Sequence, residues 1–193
     1  MTSRGESAFS WVQQLLQMPI LETKRLVLRQ FCQDDLKDIC AWEAYAIEPS
    51  TQVDAQAFLD FCFQSYSTWG MGPWGLFLKT DRMLVGNSGF CRIDLKQNCG
   101  EVNYFVTRQY RRQGLASEAL KAILKFGFEE IGLARIQARC SPDNISSERV
   151  MQKTGMQFER RISAEASKDE SRDENLYAIM RNEFRAGHSA RLS

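Results

Sequence analysis

Histidine is almost missing from this chain: among its 193 residues only His188 carries an imidazole. Its six cysteines, Cys32, Cys40, Cys62, Cys91, Cys99 and Cys140, include no CxxC pair. A zinc site therefore lacks its usual ligands at usable spacing, and cysteines scattered in this way do not suggest a disulfide framework. No metal is expected. A charge excess of one sign is missing as well, since 25 Lys and Arg against 24 Asp and Glu leave a formal net charge of +1. Counterion release needs a concentrated basic surface, so nucleic acid is not expected as the primary ligand and any basic patch is local. No apolar run approaches the roughly 20 residues that a bilayer span needs, so no membrane partner is expected. The opening MTSRGESAFSWVQQLLQMPI interrupts its short apolar stretch at Gln13, Gln14 and Gln17 and offers no small-residue cleavage site. It reads as an N-terminal arm or helix, residues 1–20, of a cytoplasmic protein.

What is present describes a globular domain, with 44% hydrophobic and 25% charged residues. One domain, residues 21–184, followed by a tail at 185–193, is expected, large enough to bury a core without metal or disulfide support. Arg25 to Phe31 alternates as a strand, and Asp34 or Asp35 is placed to cap a helix running to about Tyr45. A second helical pattern starts at Asp54, with Phe58, Leu59, Phe61, Cys62 and Tyr66 on its apolar side. The WGMGPWG segment, Trp69 to Gly75, breaks that helix, either as an aromatic-walled acceptor loop or as a turn whose tryptophans fill the core. Strands at Leu76–Thr80 and Met83–Asp94 follow, and Asn98 with Gly100 marks the turn into a strand at Glu101. Ala134–Cys140 reads as a strand and Asn144–Thr154 as a helix ending at Gly155. Met156–Ser163 and Asn175–Arg181 read as a final antiparallel pair around the charged AEASKDESRDE loop.

The most informative segment is YRRQGLASEAL, Tyr110 to Leu120. It follows the strand-like EVNYFVT and opens an apolar helical pattern at Leu115, Ala119, Ile123, Leu124 and Phe128. A strand, a glycine turn and a helix N-terminus in that order converge backbone N–H groups on one point, where the helix dipole adds partial positive charge. Gly114 permits φ > 0 or close approach of an oxygen, and Arg108, Arg111 and Arg112 add guanidinium groups suited to phosphate. The segment taken alone fits an anion cradle and an ordinary strand-to-helix connection equally well.

Arg111, Arg112, Gln113, Gly114, Leu115 and Ala116 resemble the acyl-CoA pyrophosphate loop of the GCN5-related N-acetyltransferases (GNAT), in which Gln or Arg precedes two residues, Gly, one residue and Gly or Ala. SPDNISSERVMQKTGMQFE, with Asn144, Ser147, Val150, Lys153 and Gly155, is similar to a later helix of the same family. LETKRLVLRQF and WGLFLKTDRMLVGNSGF resemble the opening strand and following hairpin of its ribosomal-protein N-terminal acetyltransferase (RimJ/RimL-like) branch, so the likeness runs from about Leu21 to Phe184. It implies an α/β (α+β) GNAT fold: a mixed, mostly antiparallel twisted sheet of six to seven strands flanked by about four helices. A V-shaped splay is implied between the Glu101 and Ile136 strands.

The resemblance also implies acetyl-CoA as cosubstrate and N-acetyl transfer to a primary amine by direct attack in a ternary complex. The α-amine of a protein or peptide is one candidate acceptor; a polyamine, amino acid or aminoglycoside is another. A non-catalytic acetyl-CoA-binding module is the reading from a different class, and monomer and homodimer both stay open. By the same resemblance Tyr104, Phe105 and Val106, with Thr107, lie along the pantetheine arm, and Asn144 near it, where Asn144 also suits a helix N-cap. Glu101 is the candidate base, or else a carboxylate paired with an Arg or Lys. Ser147 is placed to contact the coenzyme or protonate the thiolate, or else satisfies backbone groups in the first helical turn. The chain departs from the pattern twice, with Asn103 where the branch commonly has Gly and Met151 where many members have a proton-donating tyrosine. Without a histidine or other cationic partner, a nucleophilic cysteine is the weaker reading of Cys99 and Cys140.

Overall fold

Apolar alternation along several short segments builds a sheet, and a computed structural model describes it over residues 18–42, 52–164 and 173–189. The expected N-terminal arm, except for its last residues, and most of the AEASKDESRDE loop lie outside the described residues. The strands are β1 (Leu21–Glu22), β2 (Leu26–Arg29), β3 (Pro73–Leu78), β4 (Leu84–Asp94), β5 (Cys99–Val106), β6 (Arg135–Cys140), β7 (Gln157–Ile162) and β8 (Glu174–Met180). They form one mixed, mostly antiparallel sheet of eight strands in the order β1-β2-β3-β4-β5-β6-β8-β7. Five α-helices accompany them among the described residues: α1 (Leu36–Cys40), α2 (Gln52–Trp69), α3 (Leu115–Glu129), α4 (Ile145–Lys153) and α5 (Arg181–Ser189).

This is the expected architecture, with eight strands and five helices where about six to seven and about four were expected. The two-residue β1 is too short to alternate and exists through its pairing, Leu21 with Leu28 and Glu22 with Val27. The polar sequence of α5 hides a helix that tertiary contacts define. Glu183 accepts from the Met180 N–H at 2.8 Å, Arg181 Nε donates to the Leu133 carbonyl at 2.7 Å, and the Phe184 ring lies 5.1 Å from Phe128.

By contacts, the chain divides into two compact units, residues 1–87 with 106–111, and residues 88–105 with 112–193. In the first, β2 pairs antiparallel with β3 from Leu26–Leu78 to Arg29–Gly75, and Leu26, Leu28, Leu59, Cys62, Trp74 and Leu76 are fully buried. Trp74 Nε1 donates to the Pro19 carbonyl at 2.8 Å, so this tryptophan fills the core, whereas Trp69 is exposed. Phe61 is also exposed, which removes it from the expected apolar side of α2.

The first helix stops at Cys40 rather than Tyr45, and Asp35 stands at its N-cap as expected but turns its carboxylate back along the chain instead of bonding the helix's own amides. Its carboxylate accepts from both terminal nitrogens of Arg29, at 2.9 and 2.8 Å, and from the Cys32 N–H at 2.8 Å. Burial alone would raise the Asp35 pKa, but the bonds from Arg29 and Cys32 outweigh it and hold the carboxyl below its ordinary value. A depressed folded-state pKa contributes stability above the unfolded value, lost as pH falls through the folded one. Unfolding titrations should therefore show stability falling below about pH 4, with that acid limb reduced in Asp35→Asn; an identical limb in both proteins would rule out the assignment.

In the second unit β5 and β6 run parallel, and β6 pairs antiparallel with β8 from Arg135–Met180 to Cys140–Asn175. The β5–β6 ladder joins Cys99 to Arg135, Gly100 to Ile136 and Glu101 to Gln137, while β5 continues to Val106 and β6 to Cys140. Pairing at one end only is the expected splay. Gly100 lies within β5 rather than in the preceding turn, where Asn98 instead takes φ 52°. A Cβ at Gly100 would meet Phe90 at 2.7 Å and Leu133 at 2.8 Å, so the missing side chain permits this close packing. Helix α3 buries Leu115, Ala119, Ile123, Leu124 and Phe128, the stripe its sequence predicts, and Leu120 besides.

Candidate active site

The cradle segment is built by one continuous stretch of chain. After β5, Thr107 begins a 3₁₀ turn at Arg108–Tyr110, Arg112 takes φ 62°, and Gly114 takes φ 80° and ψ 6° as the N-cap of α3. Glycine reaches that left-handed conformation without the Cβ penalty of about 1–2 kcal/mol that an L-residue meets. Arg112 bears such a cost, and no residue preference in YRRQG points to it. The first intrahelical bond of α3 runs from the Glu118 N–H to the Gly114 carbonyl at 3.0 Å. The N–H groups of Leu115, Ala116 and Ser117 therefore have no acceptor within the helix, at its electropositive end. Arg108, Arg112 and Gln113 are exposed along the same segment, whereas the Leu115 side chain is buried and only its backbone faces this turn. Arg111 is more than a solvated cation: its Nε donates to the Val106 carbonyl at 2.9 Å and ties the loop to the end of β5.

A second group surrounds the start of α4. Asn144 is the N-cap, its Oδ1 accepting from the Ser147 N–H at 3.0 Å and from Ser146 Oγ at 2.8 Å. Its oxygen is thereby committed, and its amide Nδ2 is the donor left to meet a ligand. Ser147 does not spend its hydroxyl on the backbone. Its Oγ lies 2.6 Å from the Tyr104 hydroxyl, which also donates to the Ser147 carbonyl at 2.9 Å. Burial raises the Tyr104 pKa well above the ordinary phenol range, so the phenol stays protonated. Phe105 is half-buried on the same strand, and Met151 is fully buried, a core residue rather than a replacement acid.

Glu101 anchors a third group. Its Oε2 accepts from Gln137 Nε2 at 2.8 Å, and its Oε1 lies 3.4 Å from Arg139 Nε. Arg139 reaches Glu174 Oε2 at 3.4 Å, and Arg135 is bonded to both Gln137, at 3.3 Å, and Glu159, at 2.7 Å. The polar partners come from alternate residues of β6, Arg135, Gln137 and Arg139, while Ile136, Ala138 and Cys140 face the core. Sequence reading missed these partners, although the period-two pattern of RIQARC carried the signal. The paired-carboxylate alternative for Glu101 is thus the geometry present. Asn103 is exposed, and its carbonyl accepts from Ser88 Oγ at 3.1 Å.

Cys99 and Cys140 are disfavoured as nucleophiles. Burial, aided by Glu148 and Glu174, pushes the Cys140 thiol up to about 11. Burial also raises Cys99. Thiols shifted upward are poor sources of thiolate at neutral pH.

Residues 25–157, more than half of the chain, match the family model described as "Acetyltransferase (GNAT) domain". The chain belongs to the GNAT family. This GNAT enzyme is an acetyltransferase. It is 32% identical over 175 residues to the uncharacterized N-acetyltransferase YnaD of Bacillus subtilis, covering 85% of this chain and 98% of that protein. It is 31% identical over 96 residues to the ribosomal-protein-serine acetyltransferase of Escherichia coli, covering 49% of this chain and 54% of that one. A solved structure of RimL, a ribosomal L7/L12 alpha-N-protein acetyltransferase in complex with coenzyme A, matches with a TM-score of 0.68 and 16% identity. That match covers 84% of this chain and 98% of the RimL chain, and shows the shared fold. Among the described residues, no helix is long and apolar enough to cross a membrane.

Proposed function

We propose that this GNAT domain uses acetyl-CoA to acetylate a primary amine by direct attack in a ternary complex. The observation that carries the reading is Gly114, in a left-handed conformation at the N-cap of α3, followed by three amides without acceptors inside the helix. Such a turn suits the pyrophosphate, with Arg108, Arg112 and Gln113 supplying further donors and the backbone of Leu115 and Ala116 completing the cradle. The backbone of Tyr104, Phe105 and Val106 is the strand against which the pantetheine arm would lie, and Asn144 Nδ2 is its side-chain donor. Arg111 shapes this site by fixing the loop to Val106.

The donor supplies an activated acetyl thioester. The amine must lose a proton before or during attack, and Glu101, held by Gln137 and near Arg139, is the carboxylate assigned to receive it. As the C–N bond forms and the C–S bond breaks, the leaving sulfur takes the electron pair and a proton. Ser147 Oγ, oriented by the Tyr104 hydroxyl, is the protein group assigned to that end of the reaction. The reaction requires no covalent enzyme intermediate.

Calorimetry should show binding of acetyl-CoA, and a thiol-release assay should show coenzyme A appearing only when an amine is added. Glu101→Gln should lower kcat about a hundredfold while leaving the acetyl-CoA Kd unchanged. No heat of binding, or no amine-dependent thiol release with any acceptor, overturns the proposal. Full activity in Glu101→Gln removes the base assignment alone.

A further inference from the structure

We infer that Asn103 selects the acceptor: its carboxamide binds an uncharged hydrogen-bonding group, a hydroxyl or an amide, that the substrate carries about 5 Å from the amine offered to Glu101. This rests on the acetyltransferase reading of the same site. Along β5, Gly100, Val102 and Val106 are buried, whereas Glu101 is half-buried and Asn103 exposed, the alternation of an extended strand. Tyr104 turns to Ser147 on α4, and Glu101 turns the other way, to Gln137 on β6. Asn103 therefore shares the face of the carboxylate assigned to the amine. It also lies two residues past Glu101–Gln137, the last rung of the β5–β6 ladder, where the two strands no longer pair. The buried Ser88 donates from Oγ to the Asn103 carbonyl at 3.1 Å and fixes the backbone, while the exposed carboxamide makes no hydrogen bond among the described residues. Asparagine is depleted in strands, and this side chain gains no protein contact of its own that would offset the preference.

The spacing of the two side chains sets the length of the substrate. Residues two apart on a strand are separated by about 6.5–7 Å, and each hydrogen bond leans inward, so a molecule bridging Glu101 and Asn103 holds its polar atoms about 5 Å apart. Three carbons between nitrogen and oxygen supply that span, and a polar group on the carbon next to the amine falls short of it. The chemistry of the carboxamide sets the rest. It both donates and accepts, so it pairs with a hydroxyl or an amide. An alkyl tail would strip water from it and return no hydrogen bond. A second ammonium would surrender its hydration for one neutral oxygen, with no opposite charge at Asn103 to compensate. Asn103 is also one of the chain's two departures from the family pattern, so the preference is this chain's own.

The test measures thiol release by the full chain with acetyl-CoA and four amines of similar size: 3-aminopropanol, butylamine, ethanolamine and 1,3-diaminopropane. The first should exceed each of the others by at least about tenfold in kcat/KM. Asn103→Leu keeps the bulk of the side chain without its polar atoms, and Asn103→Gly removes both. In each variant the ratio of 3-aminopropanol to butylamine should fall to within about twofold of unity, chiefly through KM for the amino alcohol, with the acetyl-CoA Kd unchanged. A purely structural role would instead lower kcat/KM for all four amines by the same factor and leave the ratio where it was. That result overturns the inference, as does a parent chain that uses 3-aminopropanol no better than butylamine. Absence of acetyl-CoA binding, or of thiol release with every amine, in the parent would defeat the underlying acetyltransferase proposal and this inference with it.

Discussion

Gly114→Glu should lose at least about a hundredfold in acetyl-CoA affinity, a change of roughly 2.7 kcal/mol, while the protein remains folded. The backbone there has φ 80°, so any side chain brings left-handed strain of about 1–2 kcal/mol. Glutamate adds the larger effect. Its carboxylate sits at the electropositive end of α3, where it is favourable for the helix itself but occupies and repels the anionic ligand. Gly114→Ala carries the strain without the charge and should lose far less. Calorimetry with both variants separates the contributions, and equal affinities for Gly114→Glu and the parent would remove the cradle assignment.

Phe128→Ala should produce the opposite pattern, a large loss of stability with little loss of coenzyme affinity. Phe128 is 2% exposed near the far end of the same helix, with its ring 5.1 Å from Phe184 on α5. Removing a buried aromatic ring costs about 3–5 kcal/mol through lost transfer free energy and the cavity left behind. For a chain of this size the melting temperature should fall by roughly 10 °C. At temperatures where the variant is folded, its acetyl-CoA Kd should lie within about twofold of the parent, because the cradle amides belong to the first turn of α3. A melting curve unchanged by the substitution would show that Phe128 does not anchor the helix.

How much of each residue's role is legible in the amino-acid sequence depends on how local its contacts are. Gly114 is recognisable because its neighbours in space are its neighbours along the chain: a strand, a turn and a helix N-terminus within a few residues. Asn144 as a cap and Gly155 at the end of α4 are readable for the same reason, and Gly155 takes φ 93°. Periodicity also identifies the buried stripe of α3, Phe128 included. It fails for α5, where a polar sequence becomes a helix through contacts made by Arg181 and Phe184, and for Phe61, which is apolar yet exposed.

The family, the glycine turn at Gly114 and the order of most strands and helices are set at the level of sequence, because each depends on local backbone preference or on spacing along the chain. Which side chains meet is settled only when the sheet assembles. Tyr104 finds Ser147 43 residues away, Glu101 finds Gln137 36 residues away, and Arg139 finds Glu174 35 residues away. Those meetings follow from the register of β5, β6 and β8 and from the placement of α4. A shift of one residue in a strand would turn the same side chains to the opposite face. The cradle is therefore written in consecutive residues, whereas the groups assigned to the amine and the thiolate exist only once the strands have paired.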